Sequence, residues 1–257
     1  MSFLCTNFDA KKVKNEIVEW IRNWFDENGK DAKAVVLISG GKDSTIVGKL
    51  MIESLGKENV IGLLLPNGIQ KDINVAIDVV KYLDIKYHVC NIESMVNDGL
   101  NLVSNEISVS DQTKINLPPR IRMCLGYAFS QSYNAFPINT SNLSENFIGF
   151  STLYGDHAFA ISPLGNLTVS EVKQIGLELE IPNNFINKIP SDGLTGLSDE
   201  EATGISYDIL DNYIRTGICE DNNIKNKIDD RHIKNLFKLT HIAIETYEPN
   251  LPILPKY

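Results

Sequence analysis

The sequence has little of what marks secreted, membrane-spanning or nucleic-acid-binding proteins. It has four cysteines in 257 residues, Cys5, Cys90, Cys124 and Cys219, and without a CxxC pair they predict neither a disulfide framework nor a zinc site. It has no run of 18 apolar residues, so no membrane span is predicted. Basic residues are outnumbered, 24 Lys and Arg against 33 Asp and Glu, and this acidic balance argues against a general nucleic-acid binder.

A signal peptide is also missing from the sequence, because the N-terminal segment mixes acidic and basic side chains and contains no apolar core. Isolated cysteines then fit a reducing cytoplasm, where we expect them to be buried as small hydrophobic side chains. The remaining composition, 43% hydrophobic and 22% charged residues, is that of an ordinary globular protein. The sequence therefore predicts a soluble cytoplasmic protein without membrane or nucleic-acid partners.

Hydrophobic spacing in the first third of the chain alternates between helix and strand. Apolar residues from Val13 to Trp24 recur at helical spacing, and this helix is predicted to end at Gly29. Continuous apolar runs follow, as is typical of strands buried on both faces of a parallel sheet. The alternation predicts an α/β fold with a doubly wound, mainly parallel sheet flanked by helices. The predicted strands are residues 34–38, 60–65 and 85–92, and the predicted helices between them are residues 44–55 and 72–83.

The second half is predicted to be mostly helical. Thr168 and Glu171 form a capping box that marks a helix start, and an acidic run at Asp199 suits another. No repeat or long linker is visible, so residues 1–257 are predicted to form a single domain. The predicted helices are residues 119–135, with Pro119 at the first position, 142–150, 168–179 and 199–214, and a short strand is predicted at residues 136–140.

The segment SGGKDS, residues 39–44, lies between the first predicted strand and the next helix. Its glycines let backbone N–H groups approach a ligand, and the positive end of the helix points to the same place. These features predict a cradle for an oligophosphate. Asp43 would repel phosphate unless it holds Mg²⁺, which can bridge the carboxylate and the phosphates. The letters exclude a Walker A loop and a Rossmann fingerprint.

This loop resembles the SGGxDS loop of the N-type ATP pyrophosphatases, which cleave ATP to AMP and pyrophosphate while adenylating a substrate. Downstream segments resemble the motifs of one branch of these enzymes, the ammonia-dependent NAD synthetases, in the same order from about residue 15 to about residue 240. The segments are PRIRM at residues 119–123, NTSNLSE at 139–145, YGD at 154–156, PL at 163–164, PSDGL at 190–194, SDEE at 198–201 and GISY at 204–207.

The resemblance implies the fold of the adenine nucleotide alpha hydrolases and a role for each matching residue. Asp43 and Glu145 would ligate Mg²⁺, and Asp43 and Asp156 would be catalytic, with Asp156 holding or deprotonating ammonia near the reacting carboxyl. Arg120 and Lys234 would bind deamido-NAD. The residues implied to bind ATP are Leu37, Ile38, Ser39, Gly40, Gly41, Lys42, Asp43, Ser44, Thr140 and Ser191.

The implied reaction is the amidation of deamido-NAD to NAD, the last step of NAD biosynthesis. ATP adenylates the nicotinate carboxylate and releases pyrophosphate, and ammonia then displaces AMP. Fewer than 40 residues precede the loop, so no glutaminase domain is predicted, and the expected nitrogen source is free ammonia or ammonia from a separate protein. The resemblance also implies a homodimer.

Three positions depart from the family pattern, because Leu153, Ala160 and Val169 stand where many relatives carry charged ligands. Lys42 and Lys173 are nearby cations that would compensate. Two alternatives therefore stay open: another ATP pyrophosphatase of this loop type, such as a tRNA-modifying enzyme, or a nucleotide-binding relative without turnover.

Two further residues near the implied site have ambiguous roles. Arg122 follows Arg120 by two positions, and side chains two apart on a helix diverge, so only one of the two is expected to enter the site. His157, next to Asp156, is expected to be an exposed loop residue.

Overall fold

The computed structural model describes residues 8–70, 73–187 and 199–238. In this part of the chain four parallel strands form one sheet in the order β3-β2-β1-β4. The chain moves from β1 outward to β3 and then returns to the other side of β1, so the predicted doubly wound parallel sheet is confirmed. The strands are β1 (Lys33–Leu37), β2 (Val60–Leu64), β3 (Lys86–Val89) and β4 (Ala135–Ile138).

Helices cover both faces of this sheet. Alternate residues of β1 point to opposite faces: Val36 packs in the cluster that contains Ile17 of α1, whereas Val35 packs with Val96 of α4 and Ile121 of α5. Burial on both faces explains why the strand is a continuous apolar run. The helices of the first half are α1 (Ala10–Asn28), α2 (Lys42–Leu55), α3 (Ile73–Leu83), α4 (Glu93–Ser104) and α5 (Asp111–Ser132).

The helices of the second half extend the fold beyond the sheet. α7 joins the cluster of α1 and α2, while α6, α10 and α11 bury a second apolar cluster around Phe147 and Tyr213. The capping box of Thr168 and Glu171 is present at the start of α7. These helices are α6 (Leu143–Phe147), α7 (Val169–Glu178), α8 (Asn183–Ile186), α9 (Asp199–Thr203), α10 (Tyr207–Thr216) and α11 (Asn222–Asn235).

The predicted start of the fifth helix at Pro119 is wrong. α5 begins at Asp111, where the Ser110 hydroxyl caps it by accepting a hydrogen bond from the Thr113 N–H at 3.1 Å. Pro118 and Pro119 lie inside the helix. Proline normally disrupts a helix interior, but here Pro118 is buried and the helix packs along β1 and β4. Tertiary contacts therefore override the local signal.

The predicted helix at residues 199–214 is two helices, α9 and α10. Gly204 between them has φ of 62°, a left-handed conformation that ends the first helix, and Ser206 caps the second. Residues 222–235, for which no element was predicted, form α11, which Asp221 caps. α4 and α8 were not predicted.

The expected burial of the cysteines is also wrong for the three that lie in the described residues. Cys124 is exposed, because the inward side of α5 carries Ile121 and Gly126 instead, and Cys90 and Cys219 are partly buried. Among the described residues, no helix combines the length and apolar character needed to cross a membrane.

Candidate active site

The loop between β1 and α2 has the geometry of an anion-binding loop. Gly40 has φ of 83°, and a Cβ atom there would lie 2.9 Å from the backbone nitrogen of Ala76 in α3. Both features require glycine, because an L side chain would be strained and would clash. Gly41 precedes α2 and makes no side-chain cap hydrogen bond. The N-terminal N–H groups of α2 are therefore oriented toward the loop and suit a phosphate.

Serine hydroxyls hold this loop in shape. The Gly41 N–H donates to Ser39 Oγ at 3.2 Å, and Ser44 Oγ donates to the Gly41 carbonyl at 3.1 Å. The two hydroxyls lie 3.3 Å apart. Ser39 and Ser44 therefore preorganise the loop, which is consistent with the anion-binding role predicted for it.

Asp43 connects this loop to α6, the helix that follows the neighbouring strand β4. Its Oδ2 lies 2.8 Å from Nζ of Lys42, an ammonium that is buried, and its Oδ1 accepts from Asn142 Nδ2 at 3.3 Å. Asn142 in turn caps α6 through the Glu145 N–H at 3.0 Å, while Glu145 Oε2 accepts from the Asn142 N–H at 3.3 Å. The structure thus brings Asp43 and Glu145, 102 positions apart in sequence, to one place.

The surroundings of Glu145 disfavour its ionised form, although Lys42 lies close by. Desolvation by the surrounding protein, together with the negative charge of Asp43, raises the pKa of Glu145 to about 8, and Lys42 opposes the shift. Asp199 on α9 adds negative charge, and its Oδ2 accepts from the Tyr207 hydroxyl at 3.0 Å. Burial, with Glu145 and Asp199 nearby, raises the pKa of Tyr207. The oxygen donors of Asp43 and Glu145 therefore suit a hard divalent cation.

Asp156 lies in the loop that follows β4. Its Oδ1 accepts from the Thr152 N–H at 2.6 Å, and its carbonyl accepts from Asn139 Nδ2 at 2.5 Å. Although Asp156 keeps solvent-accessible surface, protein surrounds it closely, and this desolvation raises its pKa to about 6. The positive charges of Lys238 and Arg122 oppose the shift. Asp156 is therefore a carboxylate whose proton affinity suits acid–base work near neutral pH.

The two arginines of the PRIRM segment diverge, as expected. Arg120 is exposed, and its Nε donates to the Leu153 carbonyl at 3.3 Å. Arg122 is partly buried, and its Nε donates to the Leu65 carbonyl at 3.0 Å, just beyond β2. Desolvation lowers the pKa of Arg122 and Asp156 opposes this. Arg122 is thus close enough to Asp156 for their charges to interact, while the role predicted for Arg120, binding of deamido-NAD, stays a prediction.

The remaining sequence-predicted positions lie as follows. Thr140 is partly exposed just after β4. Lys234 on α11 is 75% exposed and its Nζ lies 3.9 Å from Asp230. Lys173 is exposed on α7, and Val169, the first residue of α7, is buried. Ser191 lies outside the described residues.

The expectation that His157 is exposed is wrong. Its side chain is buried, with Nε2 2.8 Å from Oδ1 of Asn146, and desolvation lowers its pKa to about 4. Asn139 was not singled out from the sequence as a positioning residue, yet it is fully buried and its Oδ1 accepts from the Ser141 N–H and Ser162 Oγ. Its place at the start of the NTSNLSE segment was the available signal.

Comparison with known proteins identifies a family for this arrangement. The family model described as "NAD synthase" matches residues 13–244. An NH(3)-dependent NAD(+) synthetase of Thermococcus sibiricus is 40% identical over 210 residues, which is 80% of each chain.

Solved structures are similar as well. The NMN synthetase of Francisella tularensis has a TM-score of 0.83 at 28% identity, and the match covers 95% of this chain and 100% of the synthetase chain. The NH3-dependent NAD synthetase of Campylobacter jejuni has a TM-score of 0.73 at 27% identity, with coverage of 92% and 99%.

These matches do not favour the two alternatives that the sequence left open. The protein is an enzyme, a ligase that forms a C–N bond with ammonia at the expense of ATP. The chain belongs to the NAD synthase family.

Proposed function

We propose that this chain is a single-domain cytoplasmic protein. It amidates deamido-NAD with ammonia in a site at the carboxyl edge of the sheet. One observation carries the assignment of the site: the nucleotide loop follows β1, and the segment with Asn142 and Glu145 follows the adjacent β4. The chain order reverses between these strands, and ligands of open α/β sheets bind outside the carboxyl ends at such a reversal.

The nucleotide loop would bind the ATP phosphates. Gly40 and Gly41 leave the backbone open, and the N–H groups at the start of α2 would donate to the phosphate oxygens. Leu37, Ile38 and Thr140 would complete the ATP site, with Ser191 as a further phosphate contact.

Mg²⁺ fits the carboxylates present. Asp43 and Glu145 would hold it, since Mg²⁺ usually takes one or two carboxylates together with water and phosphate oxygens. The raised pKa of Glu145 supports this, because a bound cation offsets the repulsion that Asp43 exerts on it. When bound, the ion would supply charge neutralisation for the phosphates of ATP.

The mechanism would proceed in two steps. An oxygen of the nicotinate carboxylate attacks the α-phosphorus of ATP, the P–O bond to pyrophosphate breaks, and loop N–H groups stabilise the leaving group. Ammonia then attacks the carbonyl carbon of the mixed anhydride and AMP leaves. Asp156 would accept the proton that the nitrogen loses, because its carboxylate is largely ionised above pH 6 and its pKa is closer to neutrality than that of an ordinary aspartate. Arg120 and Lys234 would contact deamido-NAD.

A homodimer is supported by a face of α4 that the described residues leave exposed. This helix buries only Val96 among its own residues. Its Leu102 is 70% exposed, and Ile107, which follows the helix, is 67% exposed. Exposed large apolar side chains that lie together can mark a protein–protein interface. A second copy of the chain is the proposed occupant.

The decisive experiment is a product assay on purified protein with ATP, Mg²⁺, deamido-NAD and ammonium chloride. We expect NAD and AMP to form in equal amounts. Asp43→Asn and Glu145→Gln are each expected to lower the rate at least about 100-fold. Asp78→Asn, which changes an exposed carboxylate on α3, is the control and should leave the rate unchanged. ADP as the product, or full activity in both site variants, would contradict the assignment.

Nicotinate mononucleotide is a second candidate acceptor. The Francisella tularensis relative is named an NMN synthetase, and NMN lacks the AMP half of NAD. Leu153 and Ala160 are uncharged where the family pattern implies charged substrate ligands, which suits an acceptor with fewer charged groups. Separate assays with the two acids would decide, because the true acceptor is the one with the higher kcat/KM.

A further inference from the structure

We infer that Arg122 is a further substrate-contacting residue, which holds the nicotinate carboxylate against the α-phosphate of ATP during adenylation. The inference rests on the proposed function and adds to it a cation that the sequence reading did not select. It begins from the position of one backbone carbonyl, that of Leu65, at the end of β2.

The Leu65 carbonyl points toward the nucleotide loop. Along β2 the carbonyls alternate in direction: that of Leu63 accepts from the Ile38 N–H at 3.0 Å, and that of Leu64 accepts from the Cys90 N–H at 2.9 Å on the other side. Leu65 therefore faces β1, like Leu63. Its carbonyl accepts from Nε of Arg122 at 3.0 Å. The guanidinium thus lies where the β1–β2 ladder opens, beside the loop.

Arg122 is also within electrostatic range of the other half of the site. The positive charge of Arg122 acts on Asp156, and the carboxylate of Asp156 acts on Arg122 in return. Because the side chain extends from α5, on the opposite face of the sheet from α2, it reaches into the crevice from the side across from the loop. A group between the nucleotide loop and Asp156 lies between the proposed α-phosphate and the proposed ammonia site.

Other cations near the site are engaged elsewhere. Nζ of Lys42 is paired with Asp43, and Nζ of Lys238 donates to the carbonyls of Gly149 and Ser151 at 3.0 Å each. Arg120 is exposed, and its Nε donates to the Leu153 carbonyl. Among the hydrogen bonds of the described residues, Arg122 uses Nε, which leaves both terminal NH₂ groups of its planar fork to bind an anion.

The chemistry of adenylation needs a cation at this point. The nicotinate oxygen and the α-phosphate are both negatively charged, so their approach is repulsive until a positive group lies between them. An arginine fork stays charged and can donate to a carboxylate and a phosphate oxygen at the same time. In the step, the carboxylate O–P bond forms and the P–O bond to pyrophosphate breaks, without a redox change or proton transfer at Arg122.

The test separates adenylation from ATP binding. Exchange of labelled pyrophosphate into ATP, with deamido-NAD present and ammonia absent, measures the first step alone. Arg122→Gln is expected to slow this exchange about 100-fold, with the Kd of ATP changed less than about threefold. Arg122→Lys should recover about a tenth of the wild-type rate, because it keeps the charge but loses the fork. Lys114→Gln, which changes an exposed cation on the same helix, is the matched control and should leave the exchange rate unchanged.

A purely structural role for Arg122 is distinguished by the pH profile. Asp156 faces two cations, Arg122 on α5 and Lys238 after α11, so removing one of them raises its proton affinity. The acidic limb of kcat/KM in Arg122→Gln should therefore move to higher pH, while in Arg122→Lys it should stay near the wild-type position. An unchanged exchange rate in Arg122→Gln would overturn the inference, as would loss of ATP binding with the pH profile unmoved. Absence of NAD and AMP from the wild-type protein would instead contradict the proposed function.

Discussion

At the scale of single residues, one loop perturbs two adjacent side chains in opposite directions. Desolvation raises the pKa of Asp156 to about 6 and lowers that of His157 to about 4. In both cases the protein favours the neutral form, because charge is poorly solvated there. His157 is fixed to Asn146 and serves the structure of the loop, while Asp156 remains accessible to a substrate.

Replacement of Asp156 by asparagine tests its role as a base. We expect Asp156→Asn to lower kcat about 100-fold or more, and wild-type activity to fall as the pH drops through about 6, where the carboxylate becomes protonated. The measurement is NAD formation between pH 5 and pH 8. A variant that keeps both wild-type activity and the acidic limb would contradict the assignment.

Asp156→Asn is expected to lower activity but to raise the free energy of unfolding relative to wild type as the pH increases. The folded protein keeps the Asp156 proton up to about pH 6, whereas an unfolded aspartate loses it near pH 4. The unfolded chain therefore binds fewer protons between these values, and the stability contributed by Asp156 falls as the pH rises through this window. Urea unfolding should show Asp156→Asn gaining stability relative to wild type from pH 4 to pH 6. The stability contributed by His157 instead rises with pH, but both proteins contain His157, so its contribution cancels in this difference.

At the scale of elements, α7 and α10 hold the segment that carries Glu145. Ser144 on α6 donates to Asp211 Oδ1 on α10 at 2.5 Å, and its Oγ accepts from the Val169 N–H of α7 at 3.1 Å. Asp211 Oδ2 accepts from the Ser170 N–H at 2.8 Å. These contacts hold α6, α7 and α10 together. The position of Glu145 therefore depends on α7 and α10, two helices that carry none of the proposed ATP ligands.

The ion pair between α7 and α10 is the strongest test of this support. Nε and Nη2 of Arg215 donate to the two oxygens of Glu171 at 2.8 and 2.5 Å, and both side chains are at least 95% buried. Arg215→Met leaves Glu171 as a buried charge without its arginine, so we expect a loss of about 3–5 kcal/mol in the free energy of unfolding. Lys12→Met, which breaks an exposed pair with Glu16 on α1, should cost about 0.5 kcal/mol or less. Equal losses in chemical denaturation would refute the comparison.

At the scale of the whole molecule, apolar surface is distributed unevenly. Within the described residues, α1, α2, α3 and α7 cover one face of the sheet with many fully buried side chains, whereas α4 on the other face buries only Val96. Burial by a partner would remove this apolar surface from water and stabilise the assembly.

The dimer predicts a specific effect of charge on that surface. Leu102→Glu places a carboxylate in the proposed interface, so we expect sedimentation to shift from dimer to monomer at micromolar protein. Leu177→Glu is the matched control, since Leu177 on α7 is 56% exposed but lies on the opposite side of the sheet. It should leave the dimer intact. A wild-type protein that sediments as a monomer would contradict the proposed assembly.

The alternation of strands and helices, the nucleotide loop and the capping box of α7 were predictable from the sequence by itself. Each depends on neighbours a few positions away: apolar periodicity sets the element, glycine permits the turn at Gly40, and Thr168 reaches Glu171 within one helical turn. The resemblance of the motifs after β4 also implied one site for Glu145 and Asp156, which stays a prediction.

Only the tertiary structure decided which side chains around an element point inward. The directions of Arg120 and Arg122 depend on the rotation of α5, which the packing of Ile121 and Gly126 determines. Pro119 lies inside α5 because the packing of this helix against the sheet outweighs the local preference of proline. His157 is buried because Asn146 and Lys238, which follows α11, lie against its ring. Local patterns report what a segment can form, but burial and direction depend on distant residues that pack against it.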